Sequence, residues 1–400
     1  MAVITLLAAL FMVSGCVPEE LRLRELPENP AAPITVAALL PLTGNNRIYA
    51  EQMREGLLCA EERINNFNGI SGRKLKLEIL DTAGSAEGTR DALLTAGKLG
   101  ASGIIAGYDT EEVSMIIAHA SRMRTPMVIP LATSNYHLQT SPFVYRNCFS
   151  DTQQMEALAG YMLHWRQQNR GAVITDQYND DDYARGISRS FSMAAKDIGI
   201  NITCEMTIAQ NGQLSEDQLK SILMTDPGFI MVSARAKRSP QLIKQIRNAG
   251  FTGIICGPDS WDDSDLCANL NGYDPGECVF TSFFSEENQS GEYRDFCKKF
   301  RARFFHNPGA CETQSYDALV FLAIGLDKAE NLFDFDRNWQ TINRHPGAAA
   351  VYTMLKKGDI DRTIYLKMLK VEKFGKSTRS TPVLTKKFQY SKLQDYRIIE

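Results

Sequence analysis

GIIAGYDTEEVSMIIAHASRMRTPMVIPLATSN, from Gly103 to Asn135, reads as strand, loop, helix, strand, loop. Ile104-Ile105-Ala106 is a short apolar run that stops at Gly107, and Tyr108-Asp109-Thr110 follows as a polar loop. Val113, Ile116, Ile117 and Ala120 then recur at helical spacing. Met127-Val128-Ile129 is a second strand of the buried kind, ending in Pro130-Leu131-Ala132-Thr133-Ser134-Asn135. Two consecutive parallel strands thus finish in polar loops at one edge of a sheet. Open α/β sheets bind ligands at that edge, because backbone donors and helix N-termini converge there.

The same plan extends in both directions. Upstream, Ile34 to Leu40 is a continuous apolar strand of the type buried on both faces, and Leu57, Ala60, Ile64 and Phe67 mark a helix over Met53 to Phe67. Lys74 to Leu80 alternates as a strand, and Asp91 to Leu99 is helical. Downstream the pattern restarts with strands at Gly171–Thr175, Ile200–Met206, Phe229–Val232 and Gly253–Cys256, separated by helices at Ala184–Ile198, Leu219–Met224 and Pro240–Ala249. Two further helices are expected at Tyr293–Phe305 and Tyr316–Ala329, and strands at Val351–Leu355 and Thr363–Val371. The fold class is therefore α/β, with two doubly wound parallel-sheet lobes and one concave site, the cleft. The boundaries expected are 34–147 plus 285–345 for the first lobe and 148–284 plus 346–372 for the second. Residues 373–400 form a basic, irregular tail.

A chain of 400 residues suits two such lobes, and 44% hydrophobic with 23% charged residues is ordinary globular composition. A net charge of -3 gives no basic face for nucleic acid. Residues 1–16 differ from the rest. Ala2 to Val13 is nearly all apolar, too short to span a bilayer but suited to a signal-peptide core. It runs into Val13-Ser14-Gly15-Cys16, which resembles a bacterial lipobox and makes Cys16 the lipidation candidate, although no Lys or Arg precedes the apolar run. Residues 17–33, with Pro18, Pro27, Pro30 and Pro33, suit an extended tether. Of the 9 cysteines, the 8 beyond Cys16 would then meet an oxidising compartment, and Cys267–Cys278 and Cys297–Cys311 are the expected local disulfides. No Cys/His cluster has metal spacing, so no metal is expected.

Leu40-Pro41-Leu42-Thr43-Gly44, Tyr49-Ala50, Gly56, Ile64-Asn65, Asn68-Gly69-Ile70-Ser71-Gly72-Arg73 and Asp81-Thr82-Ala83-Gly84 together resemble the N-terminal motifs of the type I periplasmic binding proteins. The branch is the leucine/isoleucine/valine-binding family of ABC importers. Ile129-Pro130-Leu131-Ala132-Thr133, Val144-Tyr145-Arg146, Asp182-Tyr183-Ala184-Arg185-Gly186, Ala249-Gly250-Phe251, Gly257-Pro258-Asp259 and Tyr316-Asp317-Ala318 continue the resemblance in order. It runs from about Ile34 to Ala329 and implies three crossovers between lobes, hinge closure on a ligand and a docked inner-membrane permease. It also implies a monomer without cofactor that takes a small, amino-acid-like molecule.

The resemblance implies roles for particular residues. Thr133, with the backbone of Ala132, falls where the family grips a ligand carboxylate. Tyr183 falls on an aromatic that faces the ligand ammonium, and Asp259 on the acid of the Gly-Pro-acid motif. Tyr49 falls on a tyrosine lining the side-chain pocket. The loop Gly107 to Glu112 departs from the family, which has small and hydroxyl residues there. A glutamate about 4 Å from a ligand carboxylate would repel it by roughly 4 kcal/mol at an effective dielectric near 20. Either Thr110 alone keeps the carboxylate role while Glu111 and Glu112 follow the helix start, or the ligand lacks a carboxylate there.

No GxGxxG, GxxxxGK[ST], GxSxG or HExxH motif occurs, so no enzyme is proposed by the sequence. The expected function is an extracytoplasmic, membrane-anchored solute-binding protein that delivers its ligand to an ABC-type permease. A receptor or accessory module of the same fold, signalling to a membrane partner, is the alternative.

Overall fold

Ile34 to Leu40 is buried at every position but Thr35, and it forms β1, paired in parallel with β2 (Leu75–Asp81) and β3 (Gly103–Ile105). The structure is a computed structural model that describes residues 18–26, 29–108, 110–135, 138, 141–177, 182–208, 213–374, 377–389 and 397–398. Cys16 and the whole of the signal-like stretch lie outside them. Two compact units are present, the first built from residues up to 132, 136–148 and 290–360. Its sheet is all parallel in the order β2-β1-β3-β4-β5, with β4 at Met127–Ile129 and β5 at Val144–Arg146. Three helices serve as its first crossovers: α1 (Arg47–Asn66), α2 (Ala86–Lys98) and α3 (Thr110–Met123). α1 buries Ala50, Met53, Leu57, Ala60 and Ile64, so Leu57, Ala60 and Ile64 lie on the buried face as expected, whereas Phe67 caps the helix end and is exposed.

The second unit begins with α4 (Asp151–His164), which the sequence pattern did not reveal. Nearly every residue of α4 is buried, so it carries no apolar stripe to detect. Then follow β6 (Arg170–Asp176), α5 (Asp182–Asp197), β7 (Asn201–Ile208), α6 (Glu216–Met224), β8 (Phe229–Ser233), α7 (Ser239–Asn248) and β9 (Ile254–Gly257). A tight 3-10 turn, Asp259–Trp261, and α8 (Ser264–Asn269) lead to β10 (Cys278–Ser282). The strands run in the order β10-β9-β8-β6-β7, all parallel, over a core of Ile174, Ile230, Val232, Ile255, Trp261 and Phe280. The chain returns to the first unit for α9 (Gly291–Phe304), α10 (Ala310–Leu326), α11 (Leu332–Gln340) and a hairpin of β11 (His345–Pro346) and β12 (Val351–Met354). β13 (Ile360–Phe374) then pairs antiparallel with β10, β14 (Ser377–Gln389) with β13, and β15 (Arg397–Ile398) with β14. The stretch expected to be an irregular tail is thus largely strand.

Three expectations need correction. Residues 346–360 cluster with the first unit, not the second, because the Asp317 carboxylate on α10 holds that segment. Thr133, Ser134 and Asn135 cluster with the second unit, not the first. The Thr133 carbonyl accepts the Asp151 N–H at 2.8 Å, and Asn135 bonds Thr152 and Ser190, which ties these residues to α4 and α5. All eight described cysteines are free thiols, with neither expected disulfide formed. Cys278 is buried in β10 with its Sγ 3.5 Å from the Pro275 carbonyl, and Cys148 donates to the Ile129 and Ala132 carbonyls, so these thiols act as small core side chains.

Arg362, fully buried, anchors the re-entry of the chain into the second unit. Its guanidinium lies 5.4 Å from the Phe149 ring centroid and 5.5 Å from that of Phe283, and it donates to the Phe283 carbonyl. Phe149 and Phe283 themselves stack at 4.2 Å. These residues flank the points at which the chain passes from one unit to the other, and the cation–π and backbone contacts fix those three segments together.

Asp317 supplies a pH test of the first unit. Its carboxylate accepts the Ala348 and Ala349 N–H groups at 2.7 and 2.8 Å and the Tyr352 hydroxyl at 2.9 Å. Burial outweighs these donors and pushes the carboxyl up to about 7 from the ordinary 3.8. Between those values the folded chain holds a proton that the unfolded chain has released, so this group's contribution to stability falls as pH rises from about 4 to about 7. Denaturant titrations across that range should show the slope in the native protein and its loss in Asp317→Ala. The same variant should lose about 3 kcal/mol, because buried donors are left unpaired. A slope that survives in Asp317→Ala would assign the pH dependence to other groups.

Candidate functional site

In the first unit, the loops that follow β1 and β3 and the start of α1 carry the candidate residues. Glu112, at the third position of α3, is 2% exposed. One of its oxygens accepts the Thr82 hydroxyl at 2.9 Å and the other accepts the Tyr108 N–H. A carboxylate at this place in a helix commonly reaches back to cap the preceding backbone, and the helix dipole favours it. Glu112 therefore closes the β3–α3 loop and bridges it to the end of β2. It is a fold residue, and one of the two glutamates that made the loop depart from its relatives is accounted for. The Glu111 side chain and Asp109 lie outside the described residues.

Closing the loop presents Tyr108 against Tyr49, their rings stacked at 5.3 Å with 27° between planes. Tyr49 sits in the first turn of α1 and Thr110 opens α3, so both stand at helix N-termini next to the C-terminal edge of the sheet. Ala132 is different from its expectation. Its N–H donates to the Gly107 carbonyl at 3.2 Å, and its carbonyl receives the Cys148 thiol. The backbone donor expected for a ligand carboxylate is thus engaged within the fold. Thr133 is 3% exposed, and its carbonyl caps the start of α4.

In the second unit the structure brings Tyr183 and Asp259 together. Tyr183, in the first turn of α5, donates its hydroxyl to Asp259 Oδ1 at 2.8 Å. Asp259 follows β9 in a 3-10 turn fixed by the buried Trp261, whose indole N–H donates to the Ala234 carbonyl at 2.9 Å. Gln154, buried on α4, accepts the Asp259 N–H at 3.2 Å and the Thr281 hydroxyl at 2.7 Å, and donates to Asp151. The guanidinium of Arg235, just beyond β8, stands 4.7 Å from the centroid of the Tyr183 ring. Burial raises the Asp259 carboxyl above its ordinary value, opposed by the Tyr183 and Gln154 hydrogen bonds and the Arg235 charge. Burial and the neighbouring Asp259 charge push the Tyr183 phenol well above the usual range, so it stays a hydrogen-bond donor.

The aromatic expected to face a ligand cation thus already faces Arg235, and it supports the acid through its hydroxyl. Sequence reasoning missed Gln154 and Arg235. Arg235 was open to detection, since it follows a strand end as Asp259 does. Gln154 was not, because α4 itself went unseen.

Two α/β units, each a parallel sheet with polar and aromatic groups gathered at strand ends and helix starts, define the class of two-lobed solute-binding proteins. Residues 33–362 match the family model described as periplasmic binding protein, and the chain belongs to that family, in its leucine/isoleucine/valine-binding branch. Members are solute-binding proteins, not enzymes. The chain is 25% identical over 332 residues to the Leu/Ile/Val-binding protein BraC3 of Rhizobium johnstonii, covering 82% of this chain and 84% of that one. It is 23% identical over 308 residues to the Leu/Ile/Val-binding protein homolog 3 of Brucella melitensis, covering 76% and 81%. Among solved structures, the leucine-binding protein LivK of Thermotoga maritima superposes with a TM-score of 0.73 at 22% identity, over 88% of this chain and 98% of its own. LivJ of Streptococcus pneumoniae, solved with isoleucine, gives 0.72 at 18% over 88% and 100%. The family is extracytoplasmic, and among the described residues no helix is long and apolar enough to cross a membrane.

The role given to Glu112 can be tested without a ligand. Glu112→Ala should lose about 2 kcal/mol of unfolding free energy, because the Tyr108 N–H and Thr82 hydroxyl lose their acceptor, and Glu112→Gln should lose less. Urea unfolding measures both. Stability unchanged in Glu112→Ala would remove the glutamate from loop closure.

Proposed function

We propose that this protein captures a small polar ligand, an amino acid or a related compound, and delivers it to an ABC-type permease in the inner membrane. The observation that carries the reading is the Tyr183–Asp259–Gln154 cluster at the strand ends of the second unit, in a chain of this family. A carboxylate held there by hydrogen bonds, with burial working against its charge, is stabilised by a cationic ligand group. Asp259 takes that cation. Thr110 and Thr133 offer hydroxyls to a carboxylate, and Tyr49, stacked with Tyr108, lines the ligand's side chain. Ala132 contributes through the loop it pins and not through its N–H. Cys16 carries a lipid that keeps a monomeric protein at the membrane beside its permease.

Calorimetry of the purified protein against a panel of amino acids and their amides tests the reading. At least one zwitterionic or cationic ligand should bind, and Asp259→Ala should abolish its binding. A protein that binds no small molecule of the panel is not a transporter's amino-acid receptor, and unchanged affinity in Asp259→Ala removes that residue from the site.

The raised carboxyl adds a pH signature. A cation binds the ionised form of Asp259, so affinity should fall on acidification, starting above the ordinary aspartate range near about pH 4. In Asp259→Asn any residual affinity should lose this dependence. A dependence that persists in the variant would place the titrating group elsewhere.

A further inference from the structure

In the first unit, Glu55, His306 and Glu312, none of them discussed as a ligand contact, each bring a donor atom to within 4.8 Å of the others. They come from three separate elements: α1, the turn after α9 and the first turn of α10. Gly56 lets α1 and α10 approach this closely. A Cβ there would lie 2.1 Å from the Glu312 carbonyl oxygen, so only glycine permits this approach, and it sets Glu55 beside Glu312. α9 ends with Phe305 in the left-handed region, at φ 63°, which turns His306 back towards α1. The Phe300 ring then stands edge-on to the imidazole at 5.1 Å.

The imidazole orientation is informative. His306 Nδ1 is 3.1 Å from the Asn307 carbonyl oxygen, an acceptor only, so Nδ1 carries a proton. Nε2 lies 3.0 Å from Glu55 Oε2. In the neutral ring, Nε2 is a lone pair facing a carboxylate oxygen, and two acceptors at that distance need a cation between them. A proton on Nε2 is one such cation, but it leaves two carboxylates against one positive charge. Glu312 is 3% exposed and takes the Gly309 N–H at 3.0 Å. A divalent ion neutralises both carboxylates at once.

We propose that Glu55, His306 and Glu312 form a binding site for a divalent transition-metal ion, of which zinc is the type. One imidazole nitrogen and two carboxylate oxygens, with a fourth position open to water, match the ligand chemistry of zinc. The Nδ1–H bond to a carbonyl is the usual support of a ligating imidazole, because it fixes the tautomer and orients the ring. Tetrahedral ligands at about 2.1 Å from the ion stand about 3.4 Å apart, so the 3.0 Å His306–Glu55 pair opens slightly and the wider-spaced donors draw in, both by side-chain rotation. The site ties α1 to the start of α10 and is independent of the transport reading. A sequence search for metal spacing could not find it, because His306 lies 251 residues from Glu55.

Titration of the purified protein with zinc chloride alone, in a non-coordinating buffer and followed by calorimetry, should show about one equivalent bound. His306→Ala should weaken binding about a hundredfold. Glu312→Gln should weaken it too, and this variant keeps the backbone hydrogen bond at the helix start, so loss of folding is not the cause. Cys311 adjoins the site, so cobalt(II) is the second probe. Its absorption spectrum should lack thiolate charge transfer. A protein that binds no zinc at about 0.1 mM, binding unchanged in both variants, or a thiolate spectrum would each overturn the site.

Discussion

A polar group that leaves water must find a partner, and in this protein the buried side chains at the ends of strands and helices supply those partners. Glu112 takes the N–H of a loop, Gln154 the N–H of a turn, Asp317 two N–H groups of a crossing segment, and Arg362 donates to the carbonyl of another. All but the first join segments distant in the sequence, and Glu112 adds such a link through the Thr82 hydroxyl. Together they fix where the loops stand at the edge of each sheet, and that edge is where ligand chemistry occurs. Removing any one leaves a buried donor or acceptor without a partner, at a cost of about 1–3 kcal/mol.

The strands were readable because a parallel sheet covered on both faces needs runs such as Ile34 to Leu40 and Phe229 to Val232, and few other structures do. Helices with one solvent face were equally readable, as α1 shows. α4 was hidden because it is buried nearly all round, and its Asp151, Gln153 and Gln154 broke the apolar run that would otherwise mark it. The course of the last crossover was hidden for a related reason. The strand at Val351–Met354 does not itself tell which unit it joins, and the Asp317 carboxylate that holds Ala348 and Ala349 has no periodic signature.

The candidate site was legible to the level of residue type but not of contact. Tyr183 and Asp259 were singled out from motif order, and the structure joins them by a hydrogen bond. No pattern in the sequence foretells that bond, because the partners are 76 residues apart. The Ala132 N–H looked available only because its acceptor, the Gly107 carbonyl, lies on a different strand end. The cysteines failed through arithmetic: an even number suggests pairs, but thiols such as Cys148 and Cys278 already have buried places as small apolar groups and weak donors.

The Arg235 guanidinium sharpens what the second unit asks of a ligand. It is exposed and stands over the Tyr183 ring, whereas the Tyr183 hydroxyl holds the Asp259 carboxylate and Gln154 the N–H of its turn. In the proposed reading, a ligand ammonium at Asp259 meets an acid held in its turn and a second cation close by. The arrangement favours ligands whose positive group is small enough to reach Asp259 beside the guanidinium. It also favours those with a second acceptor for the arginine. A zwitterion with a polar side chain satisfies both demands, and a purely aliphatic side chain satisfies only the first. In the proposed reading, Arg235 is the residue by which this protein's ligand would differ from the leucine and isoleucine named for its relatives.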